Sequence, residues 1–281
     1  MEQLMNLRIL GFTAAAFILT QALLAFGQDP DLGNQFPGTR RPAQRAAGPS
    51  RPTPHHPDGR VNLGPPAGEA GLWLPGPGGT PGEPWPPRSM EVPYQPWAQE
   101  LLAYRRQNQF EPHTRCKPSG GPRQFLTPYG VEFVDRPELQ RLYIMDIGGP
   151  HTFRVVYMDG RFHPKDWVPD YYGHSVGHWE NETLVIDSIG FNEGFWLSRG
   201  LVHTSQLHLI ERFTRTDMNT IKYEVTVDDP GAYTGTWTSG FLLRWEQGTE
   251  LFEYICQDNN HAPELMLGAE QSVDRSSPIV P

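Results

Sequence analysis

The chain has 281 residues and a formal net charge of −9, and its 29 prolines and 29 glycines crowd the first hundred residues. This uneven distribution favours one folded domain behind a loop-rich segment, although the length would allow two small domains. The acidic balance argues against a nucleic-acid-binding protein, which would need a basic footprint.

Residues 1–27 have the pattern of a secretory signal peptide. Arg8 precedes an apolar run at 9–26, and small residues at 25 and 27 stand just before Gln28. The alternative is a membrane anchor, because the run approaches the roughly 20 residues that span a bilayer. We expect cleavage, and therefore an exported protein, periplasmic or extracellular, without a stable membrane span.

Residues 28–94 form a Pro/Gly-rich arm with few apolar side chains to bury. Such a segment cannot offset the entropy cost of ordering, so the composition predicts either disorder or an extended wrap over the surface. One apolar island, GLWLP at 71–75, contains Trp73, which either docks on the folded domain or stays in a flexible tail. We assign the folded domain to 95–262 and a C-terminal tail to 263–281.

The strongest helix signal covers 96–109. Pro96 suits the first helical turn, and Arg105 and Arg106 favour the C-terminal end, where a helix carries partial negative charge. The two cysteines come after this helix and near the end of the domain. Cys116 and Cys256 would persist as a disulfide in an exported protein, although two independent buried thiols are the alternative.

From Val131 onward apolar residues recur with period two, which is typical of half-buried strands. About eight strands are predicted, at 142–147, 152–158, 175–180, 183–189, 207–216, 220–228, 236–246 and 250–257. Short strands joined by tight turns indicate an all-β fold, either an antiparallel β-barrel of lipocalin-like shape or a sandwich. A closed barrel of about eight strands leaves room for side chains or one small ligand.

Four segments carry a resemblance to a known family: YMDGRFHP, GHSVGHWENETLVIDSIGF, LHLIERF and YEVTVDDPGAYTGTW. In this order they resemble a family of exported bacterial proteins of uncharacterised function, over about 115–260. The chain departs from the family pattern at Phe162, His178 and Asn181. The resemblance implies export and a β-rich domain, and it implies no activity. The chain also lacks the P-loop, dinucleotide-binding, HExxH and GxSxG motifs, which makes the common nucleotide-dependent and serine-hydrolase mechanisms unsuitable.

Side-chain parity along the predicted strands identifies candidate buried carboxylates. Glu211 shares a face with Leu209 and Phe213, and Asp187 shares a face with Val185 and Ile189. A buried carboxylate must be paired or have a raised pKa. The available counter-charges are Arg154, Arg212 and Arg244. A structural ion pair, a general acid or base, and a surface position are the three alternatives for each carboxylate.

Histidines are concentrated between residues 163 and 208. His174 and His178 would lie about 13 Å apart on one strand, too far for one metal ion. His174, His203 and His208 could instead meet at a rim and bind a transition metal, with His163 beside them. Hydrogen bonding in turns and metal-free acid–base chemistry are the alternatives.

We interpret these features as a protein that binds a small, partly apolar molecule in the barrel mouth, with aromatic walls and a Gly-rich lid at 190–200. The predicted ligand-binding residues are His163, His174, Asp187, Trp196, His203, His208 and Glu211. The alternative is a metal-assisted hydrolase, lyase or oxygenase that uses the histidines. A structural envelope protein whose arm reaches a partner is the third possibility.

Overall fold

The structure is a computed structural model that describes residues 50–80, 83–148, 152–258 and 260. The predicted signal peptide, the first part of the arm and the C-terminal tail at 263–281 lie outside the described residues. In the part of the chain that is described, no helix has the length and apolar character needed to cross a membrane.

The domain is a closed barrel of nine strands, each paired with the next in sequence, and the first is paired with the last. The strands are β1 Gly71–Pro75, β2 Val131–Arg136, β3 Arg141–Asp146, β4 Thr152–Tyr157, β5 His174–Glu180, β6 Thr183–Ile189, β7 His208–Asp217, β8 Thr220–Asp228 and β9 Trp237–Gln247. All neighbours are antiparallel except β4 and β5, which are parallel. The all-β prediction is confirmed, and its barrel alternative is the one that the structure shows.

Strand β1 closes the barrel, and it comes from the segment that composition assigned to the arm. All five of its residues pair with β9, whereas only Trp73 pairs with β2. Trp73 is buried, and its Nε1 donates a hydrogen bond of 2.6 Å to the carbonyl oxygen of Leu63. The domain boundary expected at residue 95 therefore falls too late, because burial of one indole and a full strand pairing offset the cost of ordering this short segment.

Arg215 fastens the arm to the barrel. Its guanidinium lies 4.8 Å from the Trp73 ring centre and 5.5 Å from that of Trp245. The same group donates hydrogen bonds to the carbonyl oxygens of Asn62 and Gly64, which precede β1. Of the two alternatives for the arm, the described residues from 50 onward therefore agree with an ordered wrap.

The prediction of a strand at 250–257 is wrong. This segment follows β9 without joining the sheet. Both edges of β9 are already occupied, one by β8 and the other by β1, so no backbone partner is left for a tenth strand. The segment is attached instead by the disulfide between Cys116 and Cys256, which confirms the predicted pairing.

Helix α1, Pro96–Asn108, agrees with the prediction to within one residue. Its buried face consists of Ala98, Leu102 and Arg105. Outside this face, the Trp97 side chain donates a hydrogen bond from Nε1 to the carbonyl oxygen of Gly231, just before β9. The helix is therefore packed along one side and tied at its start to the β8–β9 connection.

Aromatic side chains fill the interior of the barrel. The 3-10 turn Gly121–Leu126 inserts Phe125, whose ring centre lies 5.2 Å from that of Phe213 and 5.1 Å from that of Tyr223. Phe133 packs against Phe213 on the other side. These rings are 2% exposed or less. They occupy the space in which the lipocalin-like interpretation placed a ligand.

The barrel has a seam between β4 and β5. These two strands pair through only two residue pairs, Val156 with Ser175 and Tyr157 with Val176. The connection between them, residues 158–173, runs along the outside of the barrel wall. The candidate functional residues described next lie on both sides of this seam.

Candidate functional site

Glu211 is a fully buried carboxylate inside the barrel, as parity along β7 predicts. Its Oε2 is ion-paired with Arg154, one of the three expected counter-charges, and its Oε1 accepts a 2.9 Å hydrogen bond from the hydroxyl of Tyr223. Of the other two candidates, Arg212 pairs with Glu180 on the outer surface and Arg244 is exposed. Because Glu211 is enclosed with these partners, we do not include it in the ligand site proposed below.

The Arg154 side chain also bridges the seam. Its Nε donates to Ser175 Oγ at 2.9 Å on β5, and its Nη2 donates to Ser188 Oγ at 2.6 Å on β6. The two serine hydroxyls are 2.9 Å apart. Side-chain hydrogen bonds therefore link the barrel across the seam, where the backbones of β4 and β5 pair through only two residue pairs.

His203 does not join the other histidines. It is buried in the loop between β6 and β7, and its Nε2 lies 3.0 Å from the carbonyl oxygen of Phe195, to which it donates. Complete burial lowers the pKa of His203 to about 4, so the ring is neutral at physiological pH. The prediction that His203 shares a rim with His174 and His208 is wrong, because this irregular loop folds inward.

Trp196 belongs to the same loop and is also buried. The guanidinium of Arg105 from α1 lies 5.2 Å from its ring centre. Phe191, Phe195 and Leu197 are buried around it. Residues 190–200 therefore form a packed layer rather than the lid that their glycine content suggested.

The remaining predicted histidines come together with Asp187 on the outer face of the barrel. His163 Nδ1 lies 2.8 Å from His174 Nδ1, and His163 Nε2 lies 3.2 Å from Asp187 Oδ1. His208 Nε2 lies 2.7 Å from the same Asp187 oxygen. Asp187 faces outward because its neighbour Ile186 pairs with the inward-facing Glu211, and side chains alternate along a strand. We call His174, His163, Asp187 and His208 the histidine chain.

Proton positions in the histidine chain follow from its partners. An ionised Asp187 only accepts hydrogen bonds, so both His163 and His208 donate from Nε2. A neutral His163 then has an acceptor at Nδ1, and His174 donates to it. The pKa of His208 is raised chiefly by its hydrogen bond to Asp187, whereas burial lowers the pKa of His174. Burial is the largest single effect and opposes ionisation of Asp187, but the hydrogen bonds and charges of His208 and His163 together outweigh it, so the pKa of the carboxyl is lowered.

The metal prediction for His174, His203 and His208 does not agree with this geometry. His203 is part of the inward-folded loop, and Asp187 lies between His163 and His208 as their shared hydrogen-bond acceptor. Among the residues that the structure describes, no group of three or more His, Cys, Asp or Glu side chains is placed to hold a metal ion. The side chains of the histidine chain lie at hydrogen-bonding distances from one another instead.

A cleft of about 370 Å³ lies on the outside of the barrel, next to the seam. One wall is the outer face of β4, with Phe153, Val155 and Tyr157. The facing wall comes from the β4–β5 connection and includes Trp167 and Tyr171. The sequence predicted aromatic walls for a pocket, but it did not predict that β4 supplies one of them. The signal was present: β4 carries apolar residues on both faces, which indicates that its outer face is covered.

Close backbone packing positions the facing wall. Gly190 has a φ of +76°, and a Cβ atom there would lie 2.6 Å from Cδ1 of Trp167, so only glycine lets the indole approach. Asp170 donates from its backbone amide to the carbonyl of Gly190 and accepts from the amide of Asn192. Its side-chain Oδ1 accepts hydrogen bonds from the amides of Tyr172 and Gly173.

The histidine chain and the cleft share two aromatic rings. His174 stacks on Tyr157 with ring centres 5.0 Å apart and an interplanar angle of 18°. The ring of Trp167 meets His174 edge-on at 4.9 Å. His174 therefore lies directly behind two rings that line the cleft.

The cleft also has a polar end. The Tyr172 hydroxyl lies 3.2 Å from Asp146 Oδ2 and is hydrogen-bonded to Thr152. Burial raises the pKa of Asp146 to about 7, against the opposing hydrogen bond from the amide of Gly148. Tyr172 and Thr152 line the cleft, so a bound molecule would meet hydroxyl groups at this end.

Comparisons of the chain with family models, with curated proteins and with solved structures found no match. The resemblance carried by the sequence motifs therefore stays a prediction, and the function is argued from the geometry of the site.

Proposed function

We propose that the protein binds a small, partly apolar molecule in the cleft outside the barrel. The observation that carries this proposal is the cleft itself, about 370 Å³ in volume with aromatic side chains on both walls. Ligand pockets in proteins commonly have volumes of about 300–1,000 Å³, with mostly apolar walls and a few polar groups. The filled interior of the barrel directs the proposal to the outer wall and away from the barrel mouth.

Binding of the neutral fluorophore N-phenyl-1-naphthylamine tests the proposal. We expect saturable binding with one site per chain, and at least tenfold weaker binding by Tyr171→Ala, because this change removes one aromatic wall. Tyr104→Ala is the matched control, since Tyr104 is an exposed tyrosine on α1 that does not line the cleft. Fluorescence titration measures both variants.

The control variant should bind the fluorophore like the unmodified protein. Equal weakening by the two tyrosine variants, or binding that does not saturate, would show that the fluorophore adsorbs to the surface. Either result would contradict the proposed cleft.

An acid–base enzyme, such as a hydrolase or lyase, is the second candidate function. The observation in its favour is the histidine chain. Its two end residues, His208 and His174, have pKa values shifted in opposite directions. Such a pair supplies an acid and a base at the same pH. At a pH between the two pKa values, His208 is protonated and His174 is neutral. A molecule in the cleft would lie against the rings that cover His174.

NMR measurement of the histidine pKa values tests whether the groups of the histidine chain are coupled. We expect the pKa of His208 to lie above the ordinary histidine value and that of His174 below it. Asp187→Asn should lower the pKa of His208, because the charge that stabilises its protonated form is removed. Since the pKa of His208 is raised in the folded state, its interaction with Asp187 stabilises the fold at low pH. This contribution is lost as the pH rises through the pKa of His208 in the folded state.

Glu180→Gln is the control for that measurement. It removes a carboxylate from a second histidine pair on the outer surface, His178 with Glu180 at 3.2 Å. The titrations of His208 and His174 should not change in this variant. If Asp187→Asn also left these titrations unchanged, the groups of the histidine chain would not be coupled to one another, and the enzyme candidate would lose its support.

We also propose that the protein is exported. The apolar segment at 9–26, the sequence motifs and the disulfide between Cys116 and Cys256 support this location. The intact mass of protein recovered from its native compartment checks it: cleavage before Gln28 agrees with export, and an unshortened, reduced chain contradicts it.

A further inference from the structure

Among the residues that the structure describes, the cleft is lined by one acidic side chain and by no basic one. Asp170 is a lining residue, and none of the described residues that line the cleft is Lys, Arg or His. Aromatic side chains also line the cleft, and the faces of aromatic rings carry negative electrostatic potential. The walls therefore combine a carboxylate with electron-rich rings, and both attract positive charge.

Among the described residues, no basic side chain neutralises the Asp170 carboxylate. Its Oδ1 accepts two backbone hydrogen bonds, at 3.0 Å from Tyr172 and 2.6 Å from Gly173. No ion pair joins it to a Lys, Arg or His side chain among the described residues. The residue is partly buried, and this burial raises its pKa against the effect of the two amides. A positive charge in the cleft would supply the missing counter-ion.

Two arginines near the cleft are already engaged with Tyr157. Arg161 lies 4.0 Å from the Tyr157 ring centre and is ion-paired with Asp159, and Arg141 lies 5.1 Å from the same ring centre. His174 also stacks on Tyr157. Among the described rings that line the cleft, those of Trp167, Tyr171 and Phe153 have no arginine against them and are the candidates for contact with a bound cation.

We propose that the molecule bound in the cleft is an organic cation, an amine or quaternary ammonium group with an apolar substituent. This inference rests on the proposed ligand-binding function of the cleft. Aromatic rings bind such cations through their faces, and a carboxylate adds direct charge pairing. The cation lies between Asp170 and the rings of Trp167 and Tyr171, and the apolar substituent lies along Phe153 and Val155. The net charge of −9 also favours encounter with a cation.

Three probes of similar shape and different charge test the inference on the full chain. They are benzyltrimethylammonium, its neutral isostere neopentylbenzene and the anion benzylsulfonate. We expect the cation to bind at least tenfold more tightly than the neutral isostere, and the anion to bind most weakly. Isothermal titration calorimetry or displacement of N-phenyl-1-naphthylamine measures the three affinities.

The Asp170→Asn variant measures how much the negative charge of this carboxylate contributes to binding. Asparagine keeps a side-chain oxygen that can accept the hydrogen bonds from Tyr172 and Gly173, so the local turn is retained. We expect this variant to bind the cation about tenfold less tightly and the neutral isostere as before. Glu138→Gln, an exposed carboxylate in the β2–β3 connection, removes the same charge and should change neither affinity.

The outcomes separate this inference from the proposed function. Equal or tighter binding of the neutral isostere or the anion overturns the cation inference and leaves the binding cleft in place. An Asp170→Asn variant that binds the cation normally also overturns it. If none of the probes and no fluorophore binds, both proposals fail together.

Discussion

Glu211→Ala is expected to destabilise the protein by about 3–5 kcal/mol, because it leaves the buried guanidinium of Arg154 without its counter-charge. The change also removes the acceptor of the Tyr223 hydroxyl and leaves that polar group unsatisfied. Natural domains are stable by about 5–15 kcal/mol, so this loss would bring the variant close to unfolding. Equilibrium unfolding in urea measures the difference.

A surface ion pair in the same sheet is the control. Glu180 and Arg212 are 2.6 Å apart but are 46% and 38% exposed, so Glu180→Ala should cost less than about 1 kcal/mol. The double variant Glu211→Leu with Arg154→Met should recover much of the loss, because it removes both buried charges. A Glu211→Ala variant as stable as Glu180→Ala would show that Arg154 is not held by this carboxylate.

Replacing both cysteines with serine is expected to cost about 4–5 kcal/mol. The disulfide joins residues separated by 140 positions, and the chain-entropy treatment gives this magnitude for a loop of that length. The stabilisation acts mainly on the unfolded chain, whose freedom the bond restricts. Urea unfolding of the double variant and of the oxidised protein measures the cost.

The reduced, unmodified protein should have the same stability as the double serine variant. A loss confined to the variant would indicate that the serines disturb the folded state. A loss below about 1 kcal/mol in both would mean that the bond only attaches the segment after β9 and contributes little to the stability of the barrel.

Strands β5 to β9 could be predicted from the sequence to within one residue. Strand β8 alternates strictly between apolar and polar residues, and short polar turns join β5 to β6 and β7 to β8, so local patterns indicate where these strands begin and end. The same alternation predicted the burial of Glu211, because its neighbours on one face are leucine and phenylalanine. Local patterns suffice wherever a strand pairs with its neighbour in sequence.

The features that could not be predicted from the sequence have one physical origin, because each depends on contacts between distant parts of the chain. Strand β1 has five residues in a Pro/Gly-rich context, and its partner β9 lies at the other end of the domain. Because β1 takes that edge, 250–257 cannot pair despite its alternating residues. The place of His203 depends on how an irregular loop folds, and the cleft depends on a connection lying against β4. Except for the apolar outer face of β4, none of these contacts leaves a local periodic signal.

Closure of the barrel by β1 has a consequence for the order of folding. Gly71 pairs with Gln247, so β1 is synthesised long before its main partner exists. Strands β2 to β8 can form successive hairpins as they emerge, apart from the parallel step at β4–β5. The GLWLP segment must wait, with Trp73 exposed, until the last strand is complete. High contact order of this kind slows folding, and the final step is the joining of the two ends of one sheet.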